Sequence, residues 1–219
     1  FVDKIFFFDF HINPPVHVIL AVSFQIFYNF QKKKARQNQE ENMEFQIEKM
    51  TIRELSEIME VMENARQSVK KTEWFVSDEE EYVRQVLEGK GFLVGAREAK
   101  SRELAGFFMV FYPNTQENLG QYAGLTGEEL GKVVYMDSAA VKEAYRGNGL
   151  QGRMLQKAEE VLKEQQKEKG QDIQYCMCTV HPDNHSSLHT MEKNGYEIVS
   201  RESLYGGLDR YVLCKKHFL

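Results

Sequence analysis

The sequence predicts one α/β domain of the α+β type, with a mixed sheet flanked by helices. Three observations support this: apolar runs of strand length, helix starts marked by capping sequences, and a glycine-rich segment between a strand and a long amphipathic helix. The 219 residues are 42% hydrophobic and 28% charged, which is typical of a globular protein. The expected order of elements is β-α-α-β-β-β-α-β-α-β-β.

The first half of the domain is predicted to contain a strand, two helices and two further strands. Glu44–Lys49 alternates apolar and polar residues, as a half-buried strand does. Thr51–Glu54 and Ser77–Glu80 both have the pattern of a capping box, so each predicts a helix start, and Gly89 is expected to end the second helix. The two strands that follow are Phe92–Ala96 and Leu104–Tyr112, the latter with the apolar density of a central strand.

The second half is predicted to alternate strands and helices after a long polar connection, Pro113–Gly131. Apolar residues at helical spacing over Gly149–Lys169 predict a long helix that Gly170 ends. The other predicted elements are the strands Lys132–Val141 and Ile173–Val180, the short helix Asn184–Lys193, and the closing strands Tyr196–Ser200 and Arg210–Cys214.

Residues 1–42 do not share these patterns, and we place the domain at residues 43–219. The apolar stretch Phe1–Phe30 has no period, is interrupted by Pro14-Pro15, and is followed by the basic run Lys32–Arg36. The apolar part after Pro15 spans about 15 residues, fewer than the roughly 20 that a membrane-spanning helix needs. We expect an amino-terminal segment of translated upstream sequence; a weak membrane anchor and a structured extension are the alternatives.

Composition excludes several classes of function. The formal net charge is −5 and no basic stripe with aromatic residues appears in the domain, so we expect no nucleic-acid partner. The three cysteines, Cys176, Cys178 and Cys214, are too few for a disulfide framework and do not have the paired spacing of a zinc site. We therefore expect a cytoplasmic protein without a metal and without a membrane partner, and a homodimer is left open.

A glycine segment, Arg146-Gly147-Asn148-Gly149-Leu150-Gln151-Gly152, lies between a predicted strand and the long helix. The first N–H groups of a helix lack internal partners and carry partial positive charge, and glycines let the backbone approach a phosphate. A pyrophosphate is the expected ligand.

Two other interpretations of the glycine segment remain. The letters also fit a dinucleotide-binding fingerprint, but the acidic residue near the required spacing, Asp172, precedes the next strand instead of ending it. The glycines can also form a tight turn with no ligand.

The residues from Val141 to Leu150 resemble the motif of the GNAT N-acetyltransferase family, in which a strand ending in Val leads to Tyr-Arg-Gly-x-Gly-Leu. Further along, His181–Asn184, Ser187 and Asn194–Tyr196 resemble the family's Asn-containing turn, short helix and next strand. The resemblance implies the GNAT fold, with a mixed, mostly antiparallel central sheet, and acetyl-coenzyme A (acetyl-CoA) as co-substrate.

The resemblance also implies how coenzyme A is held. The backbone of Ala139, Ala140 and Val141 would contact the pantetheine arm, the glycine segment with Arg153 would hold the pyrophosphate, and Asn184 would lie on the pantetheine side. Gln151 departs from the family pattern, which has Gly or Ala there, so we expect a slightly displaced cradle.

Asp137 is the predicted catalytic base, since an alkyl amine of pKa about 10 must lose a proton before it attacks. Alternation places it on one strand face with Val133, Tyr135 and Val141. A hydrogen-bonded structural aspartate is the alternative.

The acid that protonates the leaving thiolate has more than one candidate. Met191 stands where the family often has a tyrosine. His189 is our candidate in its place, with Tyr196 or an unaided thiolate as alternatives. Trp74 and Phe75 are candidates for the acceptor pocket, with a core role as the alternative.

The expected function is transfer of an acetyl group from acetyl-CoA to a primary amine of a small-molecule or peptide acceptor. The amine attacks directly in a ternary complex. The alternative is a catalytically impaired protein that binds coenzyme A as a sensor or interaction module.

Overall fold

The computed structural model describes residues 43–216, so the predictions for residues 1–42 lie outside the described residues. The predicted fold class and order of elements are confirmed. The strands are β1 (Phe45–Lys49), β2 (Gly91–Glu98), β3 (Leu104–Phe111), β4 (Val133–Val141), β5 (Tyr175–Val180), β6 (Glu197–Leu204) and β7 (Leu208–Lys216). The helices are α1 (Leu55–Ser68), α2 (Glu80–Gln85), α3 (Leu150–Lys169) and α4 (His185–Lys193).

All seven strands form one sheet in the order β1-β2-β3-β4-β5-β7-β6. Every neighbouring pair is antiparallel except β4 and β5, which run parallel. The parallel pairing is short, because only Val133–Tyr135 of β4 pairs with residues of β5, Tyr175 to Met177. Within the described residues, the later residues of β4 and β5 do not pair with each other.

The core lies on both faces of the sheet. Apolar residues of α1 and α2 pack with Leu93, Phe107 and Met109 on one face. Alternation then turns Gly106 and Phe108 to the opposite face, where Met154 of α3 lies beside Gly106. The stripe predicted for α3 is buried: Leu150, Met154, Leu155, Ala158, Val161 and Leu162.

One of the two predicted capping boxes forms and the other does not. The Thr51 backbone N–H donates to Glu54 Oε2 at 2.7 Å, and the Thr51 hydroxyl accepts from the N–H of Arg53. The second helix instead begins after Glu79 and has no side-chain cap. Its predicted capping sequence is used elsewhere, because Asp78 Oδ2 accepts a 2.6 Å hydrogen bond from the hydroxyl of Ser138 on β4.

A β-bulge interrupts β4 beside the centre of β3. Phe108 is paired with Ala139, whereas Val110 is paired with Met136, so two residues of β4, Asp137 and Ser138, lie opposite one residue of β3. The bulge reverses the alternation of the residues that follow it. Asp137 therefore shares a face with Tyr135 as predicted, but the predicted position of Val141 on that face is wrong.

We expect Gly91→Ala to destabilise the fold by about 2 kcal/mol or more, because a Cβ at Gly91 would overlap the backbone carbonyl oxygen of Val110. Gly131→Ala is the matched control, since a Cβ there meets no atom within 4 Å. Urea denaturation of the two variants and the wild type measures the difference. Equal free energies of unfolding for both variants would contradict the close packing of β2 on β3.

Candidate functional site

A cavity of about 910 Å³ lies where β4 and β5 separate. Residues of both strands, of α3 and α4, and of the loop before α2 line it. The structure brings all the predicted site residues to this cavity except Asn148: Asp137, Ala139, Ala140, Val141, Arg146, Gly147, Gly149, Leu150, Gln151, Gly152, Arg153, Asn184 and His189. The side chain of Asn148 instead donates to the carbonyl oxygen of Tyr145 at 3.0 Å.

The glycine segment ends in a helix start that no side chain caps. Gly149 is the N-cap of α3 with φ +65°, in the left-handed region that favours glycine. The first helical hydrogen bond joins the N–H of Arg153 to the carbonyl of Gly149, so the N–H groups of the preceding turn have no carbonyl within the helix. A Cβ at Gly149 would meet no atom within 4 Å, so the space beside this turn is open.

The two arginines of the site contact other parts of the fold. The guanidinium of Arg146 donates to the hydroxyl and the carbonyl oxygen of Ser68, at 2.6 and 3.2 Å, at the end of α1. Arg153 donates to the carbonyl of Phe45 at 3.1 Å and lies over its ring. Backbone N–H groups at the start of α3 are thus the donors that this segment offers to an anion.

The cavity wall opposite α3 is the edge of β4. Beyond Tyr135, β4 has no hydrogen-bonded pairing with β5 within residues 43–216, and Ala139, Ala140 and Val141 line the cavity along this stretch. On the β5 side, Asn184 caps α4 through its Oδ1, which accepts from the N–H of Ser187 at 3.3 Å. An extended polar chain that enters here meets unpaired strand backbone.

Asp137 is a half-buried carboxylate at the bulge. The hydroxyl of Tyr82 donates to its Oδ2 at 2.8 Å. Burial raises the pKa of Asp137 from 3.8 to about 6, the hydrogen bond from Tyr82 lowers it, and the nearby charge of Asp78 raises it. Burial also raises the pKa of Asp78 itself. The bulge thus places two carboxyl groups close to each other at the cavity wall.

The candidate acids differ in position. His189 is exposed on α4 and lines the cavity. Met191 is buried, with an exposed fraction of 2%. Tyr196 is buried outside the cavity, and its hydroxyl donates to Glu159 Oε1 at 3.0 Å. The structure thus does not bring Tyr196 to this cavity.

Two residues at the site have no signal in the sequence pattern: Tyr82, which contacts Asp137, and Tyr205, which lines the cavity. Tyr82 lies on the apolar face of a predicted helix, where a tyrosine is expected in the core. Tyr205 lies in the turn between β6 and β7 with φ +53°, and its hydroxyl is 3.1 Å from Thr179 Oγ1 on β5. The sequence Tyr205-Gly206-Gly207 does mark a turn between two strands, but only the fold shows that this turn reaches the cavity.

Within the part of the chain that the structure describes, no group of three or more His, Cys, Asp or Glu side chains could hold a metal ion. Over the same residues, no helix combines the length and the apolar character needed to cross a membrane.

The sequence resembles that of one known protein family. The sequence profile described as the acetyltransferase (GNAT) family matches residues 55–196. No curated protein matches the sequence.

Solved structures share the fold. Arabidopsis thaliana NAA60 in complex with acetyl-CoA is 16% identical, with a TM-score of 0.60 over 79% of this chain and 98% of that chain. The ribosomal-protein-S18-alanine N-acetyltransferase from Escherichia coli is 12% identical, with a TM-score of 0.58 over 80% and 94%. The structure of yncA from Salmonella typhimurium with acetyl-CoA is 12% identical, with a TM-score of 0.58 over 79% of this chain and 94% of that chain. At these identities, the likeness shows the fold alone.

We expect Asp137→Asn to stabilise the protein at pH 7 by roughly 1 to 3 kcal/mol. The folded pKa of about 6 lies above the ordinary 3.8, so the folded state binds more protons between these values and loses stability as the pH rises through them. Asparagine stays neutral and still accepts from Tyr82. Chemical denaturation at pH 7 and pH 3.5 measures the effect, which should shrink at the lower pH. A variant less stable than the wild type at pH 7 would contradict this environment for Asp137.

Proposed function

Because the chain belongs to the acetyltransferase (GNAT) family, we propose that it transfers an acetyl group from acetyl-CoA to a primary amine by direct attack in a ternary complex. The observation that carries the proposal is that one cavity holds both an uncapped helix start and the half-buried carboxylate of Asp137. The helix start suits a pyrophosphate, and the carboxylate suits an amine.

Acetyl-CoA fits this cavity as co-substrate. The proposed pyrophosphate site is the glycine segment, where the backbone N–H groups at the start of α3 are the donors. The pantetheine arm would lie along the edge of β4 from Ala139 to Val141, with Asn184 on the other side. The open space beside Gly149 and Gly152 supports this arrangement, because a Cβ at either position meets no atom closer than 3.7 Å.

In the proposed reaction, the amine nitrogen attacks the thioester carbonyl, the new N–C bond forms and the C–S bond breaks. The amine proton passes to Asp137, either directly or through a water molecule. With a pKa of about 6, Asp137 is about 90% ionised at pH 7 and can accept this proton. The hydroxyl of Tyr82 holds the carboxylate in place through its 2.8 Å hydrogen bond.

The thiolate of coenzyme A leaves from the carbonyl carbon that the amine has attacked, and it then takes up a proton. His189 is the proposed donor of this proton. It lines the cavity and lies on α4 two residues before Met191, the position at which the family often has a tyrosine. A thiol of pKa about 8.5 is also a fair leaving group without help. The main contribution to the rate in this scheme is the positioning of amine and thioester.

A second candidate function is a protein that binds coenzyme A without efficient transfer. The observation in its favour is Met191, which is buried and has no proton to donate. Release of free thiol from acetyl-CoA in the presence of polyamines, amino acids, aminoglycosides and peptides distinguishes the two. Thiol release with none of these acceptors, together with tight binding of coenzyme A, would favour the second candidate.

We expect Asp137→Asn to lower kcat by about 10² to 10⁴ while the affinity for coenzyme A hardly changes. Raising the pH should recover part of the rate, because more of the amine arrives without its proton. Asp172→Asn is the matched control, since Asp172 is an exposed carboxylate paired with Lys132. A pH–rate profile of the three proteins provides the measurement. An acidic limb near pH 6 that persists in the Asp137 variant would assign that titration to another group.

We expect Gly149→Asp to weaken coenzyme A binding by tenfold or more, about 1.4 kcal/mol, because it adds a negative charge beside the pyrophosphate. Gly170→Asp is the matched control: Gly170 has φ +64°, close to the +65° of Gly149, but it lies at the far end of α3. Titration calorimetry measures both affinities. Equal affinities in two folded variants would remove the glycine segment from the coenzyme A site.

A further inference from the structure

Arg210 is a buried cation in the wall of the cavity, on β7. Its exposed fraction is 4%, and its guanidinium donates to two backbone carbonyls, those of Asp209 and Glu73, at 2.8 and 2.7 Å. Across residues 43–216 no carboxylate lies within ion-pair distance of it. The carboxylate of Asp209 is paired with Arg201, and that of Glu73 lies 3.8 Å from His181 Nε2.

A second unsatisfied donor lies in the same part of the cavity wall. The indole Nε1–H of Trp74 is buried and has no hydrogen-bond partner in the described part of the chain. Trp74 packs on the ring of His181, and all three side chains, those of Trp74, His181 and Arg210, line the cavity. A buried donor that lacks an acceptor is costly, and so is a buried guanidinium that lacks an anion.

This donor group and the proposed base, Asp137, line the same cavity. Tyr205 lines this cavity as well, and its ring lies 5.9 Å from the guanidinium carbon of Arg210. The cavity is thus lined both by carboxylates, Asp137 and Asp78, which suit an amine, and by N–H donors, Arg210 and Trp74, which suit an anion.

We propose that Arg210 and the Trp74 indole N–H form a carboxylate subsite, and that the acceptor is a small amino acid whose amine meets Asp137. The proposal rests on the proposed function for the amine end only. The carboxylate accepts hydrogen bonds from both donors, and its charge compensates the buried guanidinium. This charge pattern disfavours polyamines and aminoglycosides, which carry no anionic group.

Binding can be tested without catalysis, because Trp74 is the only tryptophan in the sequence. The probes are the N-acetylated forms of the common amino acids and the corresponding N-acetyl amino acid amides, added to the wild-type protein with saturating coenzyme A. Each pair differs only in the carboxylate charge. We expect at least one acid to change Trp74 fluorescence at a concentration tenfold or more below its amide. No difference between any acid and its amide would overturn the proposal.

Variants separate the subsite from a purely structural role of Arg210. Arg210→Gln should remove the preference for acid over amide and leave the affinity for coenzyme A within twofold. Arg201→Gln is the matched control, since it removes an arginine on β6 that is exposed and paired with Asp209, and it should keep the preference. Loss of binding of acids and amides alike in a folded Arg210 variant would show that Arg210 only ties the Glu73 backbone to β7. The wild-type measurement still decides if that variant does not fold.

The outcomes also separate this proposal from the proposed function. If acids bind more tightly than amides but thiol is not released with any amino acid, the subsite stands and acetyl transfer to amino acids fails. If thiol is released equally well with amines that carry and lack a carboxylate, transfer stands and the subsite is overturned.

Discussion

The separation of β4 from β5 after three paired residues is the constraint on which the site depends. Parallel strands that stayed paired would use their backbone groups on each other and leave no room between them. Because pairing stops at Tyr135, the second half of β4 has one edge unpaired within residues 43–216, and the start of α3 lines the same cavity as that edge. An open strand edge and a cavity follow from this one feature, and the start of α3 adds its backbone donors at the same place.

The bulge in β4 works with this separation. It sets Asp137 and Ser138 opposite a single residue of β3, so both side chains meet partners on the loop and helix before β2. Asp137 accepts from Tyr82, and Ser138 donates to Asp78. Half-buried carboxylates are costly, and these two hydrogen bonds offset part of the cost while the carboxylates remain at the cavity wall. The same two bonds tie the loop before α2 and the first turn of that helix to β4.

The capping pattern forms a capping box at two of the three places where it occurs, and this difference shows what the sequence can predict. The pattern Ser/Thr-x-x-Glu occurs at Thr51, Ser77 and Thr126, and it forms a capping box at both threonines. At Ser77 no capping box forms and the helix begins after Glu79, while the neighbouring Asp78 accepts from Ser138, 60 residues away in the sequence. Local hydrogen bonds, helical stripes and the glycine segment are thus predictable, because their causes lie within a few residues. The bulge, the role of Tyr82 and the position of Arg210 depend on pairing between distant segments, which no local pattern encodes.

The contact between Arg146 and Ser68 joins the glycine segment to the end of α1. The guanidinium now serves the last turn of α1, where it neutralises carbonyls at the negative end of the helix. A phosphate that drew Arg146 away would have to compete with that helix end. A ligand that took Arg146 from Ser68 would bind more weakly by the free energy of that contact, and the end of α1 would be destabilised by the same coupling free energy. The end of α1 and an anionic ligand would in this sense compete for the same guanidinium.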